Sequence, residues 1–168
     1  MMRAATPADI PAVATLAYEI WHAVYPAIIP AGQIDYMLAQ RYHADALLAQ
    51  MSGQDQWLDL LERDGALIGF CQYQRLDAAR LKLDKLYLLP AHHGQGLGAA
   101  MLRHVDARAL SLGFSQIELA VNKRNEAAIT AYLRHGYTVA RETCVDIGGG
   151  FVMDDFVMHK SLTTSRPD

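Results

Sequence analysis

One stretch constrains the fold of this chain more than any other: residues 81–113, LKLDKLYLLPAHHGQGLGAAMLRHVDARALSLG. It opens as an apolar strand with Leu81, Leu83, Leu86, Tyr87 and Leu88. Pro90 ends that strand, because proline has no N–H to give to a sheet ladder. Gly94, Gly96 and Gly98 then alternate, and Leu102, Val105, Ala109 and Leu112 recur at the spacing of a helix that Gly113 caps. The order is therefore strand, glycine loop, helix. The first N–H groups of a helix have no partner inside it and lie at the positive end of its dipole. Glycines remove the side chains that would hold a ligand away from those groups. A phosphate or pyrophosphate is the guest that such a cradle takes. A tight turn in need of positive φ explains one glycine; three alternating ones at a helix start favour the anion site.

The guest can be narrowed. No Gly-Lys-Ser/Thr follows the glycines, which disfavours a nucleoside triphosphate loop. Gly94-x-Gly96-x-x-Ala99 fits the outline of a dinucleotide fingerprint, with Glu118 downstream. Against it, Glu118 falls inside a strand pattern rather than at its end, and residues 90–93 separate the strand from the first glycine. Too little chain then remains for the second half of a dinucleotide fold.

The segment His93-Gly94-Gln95-Gly96-Leu97-Gly98 resembles the Gln/Arg-x-x-Gly-x-Gly/Ala loop of the GNAT superfamily of N-acetyltransferases, with His93 in place of Gln or Arg. Asn125-x-x-Ala128-x-x-x-Tyr132-x-x-x-Gly136-Tyr137 is similar to the second coenzyme-side motif of that family. The resemblance is strongest from about Leu83 to Tyr137. It implies acetyl-coenzyme A as acyl donor and no metal, with the pyrophosphate on the main chain of His93, Gly94, Gln95, Gly96, Leu97, Gly98 and Ala99. It further implies a pantetheine arm along Leu86, Tyr87 and Leu88, with Asn125 and Ala128 on the coenzyme side. The implied fold is α/β (α+β), a mixed and mostly antiparallel sheet of about seven strands with about four helices, in which strands 81–88 and 115–122 splay apart to admit the coenzyme.

Direct acetyl transfer to a primary amine needs an acid for the leaving thiolate and a base for the amine. Tyr132 is the expected acid, since a phenol of ordinary pKa about 10 carries its proton at neutral pH. The alternative is a core residue in the apolar stripe of Ile129, Tyr132 and Leu133. Asp84 is the expected base, the alternative being a strand-end charge paired with Lys82 or Lys85. Glu19, Asp35 and Glu118 are weaker candidates. Asn125 doubles as a helix N-cap. Trp21, Tyr25, Tyr36 and Trp57 are candidates for an aromatic acceptor pocket, and Lys123 or Arg124 for the coenzyme's 3′-phosphate. A non-catalytic acyl-coenzyme A sensor on the same fold is the competing function.

Composition agrees with this reading. The 168 residues are 52% hydrophobic, which suits one domain, 1–162, followed by a disordered tail at 163–168. A net charge of −3 without any basic run disfavours nucleic acid as partner. No apolar run approaches the ~20 residues of a membrane span, and no signal pattern opens the chain, so cytoplasm is the expected location. The adjacent His92 and His93 make a poor metal site without further ligands. Cys71 and Cys144 read as buried thiols. The partner is a small-molecule or peptide amine, and a homodimer is the assembly left open.

Further along the chain, Thr6-Pro7-Ala8-Asp9 reads as a helix start. Residues 33–50 read as one helix, and Asp64-Gly65 as a hairpin turn between strands 56–63 and 66–75. Strands at 115–122, 137–145 and 151–160 and a helix at 125–135 complete the pattern.

Overall fold

The computed structural model describes residues 1–163; the tail expected to be disordered lies, from residue 164 on, outside the described residues. Seven strands form one sheet in the order β1-β2-β3-β4-β5-β7-β6. They are β1 Met2–Ala4, β2 Gln56–Arg63, β3 Ala66–Arg75, β4 Arg80–Leu88, β5 Gln116–Asn122, β6 Thr138–Gly148 and β7 Phe151–Ser161. All neighbours are antiparallel except β4 and β5, which are joined through a helix and run parallel. The parallel pair needs that crossover because a hairpin can join only antiparallel strands.

Helices α1 Ile10–Val24, α2 Ala31–Arg41 and α3 Ala44–Ser52 cover one face of the sheet, and α4 Leu97–Ser111 and α5 Glu126–Arg134 cover the other. The expected helix at 33–50 is two helices, so the described residues hold five rather than four. The break falls at Tyr42 and His43: His43 takes an extended backbone and its Nδ1 accepts the Ala46 N–H at 3.2 Å, which starts α3 afresh. The helix start at Thr6 holds. The Thr6 N–H donates to Asp9 Oδ2 at 2.8 Å, and Arg3 grips the same carboxylate. The core divides by face. Ile10, Val13, Leu16, Ala17 and Ile20 of α1 meet Leu58, Leu60 and Phe70 of the sheet. Met101, Leu102, Val105 and Ala109 of α4 meet Leu81, Leu83, Ile117 and Leu119.

Of the two thiols expected to be buried, only Cys71 is; Cys144 is exposed, because β6 is the outermost strand and both of its faces meet solvent.

Candidate active site: a cleft where two parallel strands part

β4 and β5 pair over only three positions, Arg80 with Gln116, Leu81 with Ile117 and Lys82 with Glu118. Beyond Lys82 they separate. The opposite edge of β4 gives the reason. Tyr73 of β3 pairs with Leu83 and Gln72 with Lys85, so Asp84 is an extra residue, a β-bulge. A bulge bends its strand and increases its twist. It also resets which side chains face which way. Leu81 and Leu83 point into the α4 side of the core before the bulge, and Leu86 and Leu88 do so after it. Asp84 and Lys85 absorb the change.

The parted strands leave a cleft of about 450 Å³. It opens at the carboxyl ends of parallel strands, which is where open α/β sheets bind ligands. On its β4 wall the main chain is available. Leu89 N–H bonds Ile68 O, and Tyr87 pairs with Phe70 in the same register, so the alternate residues Leu86 and Leu88 turn their main-chain groups away from β3 and toward the cleft.

The floor is the glycine loop and the start of α4. Gly94 and Gly96 have φ of 75° and 78°, a left-handed conformation that side chains resist. Ala100 N–H is the first to close a bond back, to Gly96 O, so the amides of Leu97, Gly98 and Ala99 have no intrahelical partner. A Cβ added at Gly98 would meet nothing within 4 Å. Free amides at a helix start beside open space are the arrangement that receives an anion. His93, the departure from the motif, is used structurally: its Nε2–H donates to Leu88 O at 2.9 Å and ties the loop to the end of β4. The Gln95 side chain turns away from the cleft to accept from Arg63, so only its main chain remains for a ligand.

The far wall is α5. Asn125 caps it, accepting the Ala128 N–H at 3.3 Å, and both residues line the cleft. Tyr132 reaches the same space, half-buried, with no hydrogen bond to its hydroxyl among the described residues. Burial, with the nearby Tyr25 phenol adding to it, pushes the Tyr132 hydroxyl well above its ordinary pKa, so it keeps its proton across the physiological range.

The end of the cleft beneath α1 and α2 is aromatic and charged. Trp21 stacks on Tyr25 at 4.0 Å, and Tyr42 O–H donates to Tyr87 Oη at 2.9 Å. Asp84 and Lys85 stand side by side, with Lys85 Nζ 2.8 Å from Asp84 Oδ2, and Lys85 is only 3% exposed. Burial alone would raise the Asp84 carboxyl, but Lys85, hydrogen-bonded to it, holds it below the usual carboxylate range. Lys85 also lies 4.9 Å over the Tyr42 ring. Across from them Asp155 of β7 faces the cleft at 5% exposure. Burial and the neighbouring Asp154 raise its carboxyl.

Most of the residues expected at the site meet in this cleft: Asp84, Leu86, Tyr87, Leu88, His93, Gly94, Gly98, Ala99, Asn125, Ala128 and Tyr132 all line it. Trp21 and Tyr25 line it too, whereas Tyr36 and Trp57 do not. Tyr36 donates to Ile147 O at 2.7 Å, and Trp57 stacks on Tyr73 at the sheet's other face. Lys123 is engaged by Asp154 and Glu142, and Arg124 by Ala27 O. Glu118 serves a network with Arg80, His159 and Arg141. The alternative reading of Asp84, a charge paired with Lys82 or Lys85, is what the structure holds, since both lysines pair with it. Asp155 had no signal in the sequence, because nothing local marks the register of β7. Among the described residues no group of three or more His, Cys, Asp or Glu gathers as a metal site.

Comparison with known proteins agrees with this geometry. Residues 17–137 match the model of the Acetyltransferase (GNAT) family. An uncharacterised N-acetyltransferase of Mycobacterium tuberculosis is 33% identical over 99 residues, 59% of this chain and 63% of the relative, so the match spans less than two thirds of that protein. A spermidine N(1)-acetyltransferase of Thermoplasma acidophilum is 25% identical over 90% of this chain and 91% of its own. Among solved structures, an N-acetyltransferase of Thermoplasma acidophilum in complex with coenzyme A superposes with a TM-score of 0.81 at 22% identity, covering 96% of this chain and 98% of that one. An acetyltransferase of Salmonella typhimurium solved with acetyl-coenzyme A gives 0.69 at 23%, covering 100% and 97%.

Proposed function

Because the chain belongs to the acetyltransferase (GNAT) family, we propose that it moves the acetyl group of acetyl-coenzyme A to a primary amine by direct attack in a ternary complex. The observation that carries this reading is the parting of β4 and β5 over the glycine-lined start of α4. One opening thereby offers unpaired main-chain groups to an extended arm and free amides to a diphosphate. The relatives and neighbours that bind coenzyme A or acetylate amines support the same reading.

Each residue has a task that its surroundings suit. The amides from Gly94 to Ala99 hold the diphosphate, and the main chain of Leu86 with the Leu88 N–H pairs with the pantetheine arm as a neighbouring strand would, Leu88 O being taken by His93. The arm thus ends beside β4, where a main-chain N–H near Leu88 meets the oxyanion that develops on the thioester carbonyl. Such a donor contributes about 3 kcal/mol to the transition state. Asp84 takes the proton of the attacking amine, directly or through water; Lys85 keeps it ionised and at the same time lowers its basicity. Tyr132 gives its proton to the departing thiolate and is kept protonated for that step by burial. Residues 1–162 act here as one domain.

Two measurements test it. Acetyl-coenzyme A should raise the melting temperature and NAD should not, since only a ligand bound by the folded state stabilises it. Thiol release across a panel of primary amines then separates an enzyme from a sensor. Folded protein that binds no acetyl-coenzyme A overturns the whole reading, and binding without turnover of any amine overturns the catalytic part.

A further inference from the structure

Asp155 stands apart from the other charged groups of the cleft. It is 5% exposed, lines the cleft, and has no hydrogen bond or ion pair to its carboxylate among the described residues. Of the three cations whose charge reaches it, Lys82, Lys123 and Arg41, the two lysines are committed elsewhere. Lys85 and Lys82 pair with Asp84, and Lys123 pairs with Asp154 and Glu142. Arg41 lies on the exposed rim and forms no ion pair with it. The carboxylate oxygens open on the cleft and not on a protein group, and a carboxylate so largely removed from bulk water without a partner is costly unless a ligand meets it. The cleft that Asp155 lines also carries apolar and aromatic side chains, Trp21, Tyr25, Ile29, Met37 and Met153. Methylene groups suit such walls, and aromatic faces attract an ammonium.

We propose that the acceptor is a diamine-type cation, with one amine presented to the thioester and a second, charged amine seated against Asp155. This rests on the acetyl-transfer reading above and names the class of acceptor for it. An ammonium held at Asp155 has no lone pair, so the nucleophile must be a different nitrogen of the same molecule. The methylene chain between the two meets the apolar lining of the cleft, and the free nitrogen is the one presented to Asp84, which lines the same cleft. The cation supplies what Asp155 lacks, while Asp84 already has Lys85.

The test is calorimetric binding to the full chain saturated with coenzyme A. The probes are α,ω-diamines of three to five carbons, the n-alkylamines of equal length, and 4-aminobutyrate. The best diamine should bind at least tenfold tighter than its matched monoamine, and 4-aminobutyrate more weakly than either. In Asp155→Asn that advantage should fall below threefold, with the melting shift given by acetyl-coenzyme A retained as evidence of a folded cleft. Equal binding of diamine and monoamine, no diamine binding, or an advantage that survives in a folded Asp155→Asn overturns the proposal. Should Asp155→Asn fail to fold, the wild-type ranking decides alone. Because the readout is binding, a protein that acetylates no amine still answers the question, and lack of turnover counts against the acetyl-transfer reading only.

Discussion

The substitution Gly98→Leu separates the stability of the glycine loop from its use. Gly98 lies in the first turn of α4 with an ordinary negative φ, and a Cβ placed there meets nothing within 4 Å. The position therefore has room for a Cβ and a backbone that any residue adopts. Glycine in a helix is less favourable than leucine by roughly 0.8 kcal/mol, and somewhat less than that is recovered so near the helix end. In a chain of this size 1 kcal/mol corresponds to about 2–4 °C, so the melting temperature of the free protein should hold or rise by about 2 °C. Binding should behave oppositely. The leucine covers the amides of residues 97–99, and each hydrogen bond to a charged group is worth about 1.5–3 kcal/mol. Losing two of them costs about 3–6 kcal/mol, or roughly 10²- to 10⁴-fold in affinity. Thermal melting with and without acetyl-coenzyme A reads both effects. At a hundred times its dissociation constant the ligand adds about 2.7 kcal/mol to wild type, or roughly 5–10 °C, and the variant should show almost no shift. A Gly98→Leu protein that binds acetyl-coenzyme A within threefold of wild type refutes the placement of the diphosphate over α4.

Other substitutions probe the chemistry. Tyr132→Phe keeps the ring against the core and removes the proton, so turnover should fall about 10²-fold or more with coenzyme affinity within twofold, as measured by thiol release under conditions where chemistry limits the rate. Asp84→Asn leaves Lys85 as a buried cation with only the Tyr42 ring beside it, which costs about 3 kcal/mol or more, and Lys85→Met in the same protein should restore most of the melting temperature. The pH dependence follows from the sign of the Asp84 shift. Its carboxyl lies lower in the folded than in the unfolded chain, so the stability it contributes is whole above about pH 4 and is lost as pH falls through the folded value. The difference in melting temperature between wild type and Asp84→Asn should accordingly narrow in acid, and a constant difference down to pH 2 would contradict the pairing. Thiol titration of the native protein should give one fast cysteine, Cys144, and one that reacts only on unfolding, Cys71, whose thiol is both buried and pushed up by that burial.

The parts whose physics is local are legible in the residues alone. Pro90, three alternating glycines and the helical spacing from Leu102 to Leu112 specify a strand end, a left-handed loop and a helix start with free amides within about thirty residues, because these features depend on neighbouring residues alone. Asn125 as a cap and the Thr6-to-Asp9 helix start are legible for the same reason. The single helix read at 33–50 divides in two because a local cap at His43 outweighs continuous helical spacing.

What the glycine loop is joined to depends on long-range pairing. The bulge at Asp84 arises from the pairing of β4 with β3, and no periodicity in β4 announces it. It turns two consecutive side chains, Asp84 and Lys85, toward the same end of the cleft, so an unremarkable strand charge becomes half of a buried ion pair. Asp155 follows Asp84 in the chain by seventy-one positions and faces the same cleft only because β7 lies beside β5. Tyr36 and Trp57 looked as eligible as Trp21 and Tyr25 for the aromatic pocket, and the register and helix docking that divide them are properties of the whole sheet. Composition can call for aromatic rings and carboxylates, but which of them meet depends on long-range pairing, and that is settled when the core closes.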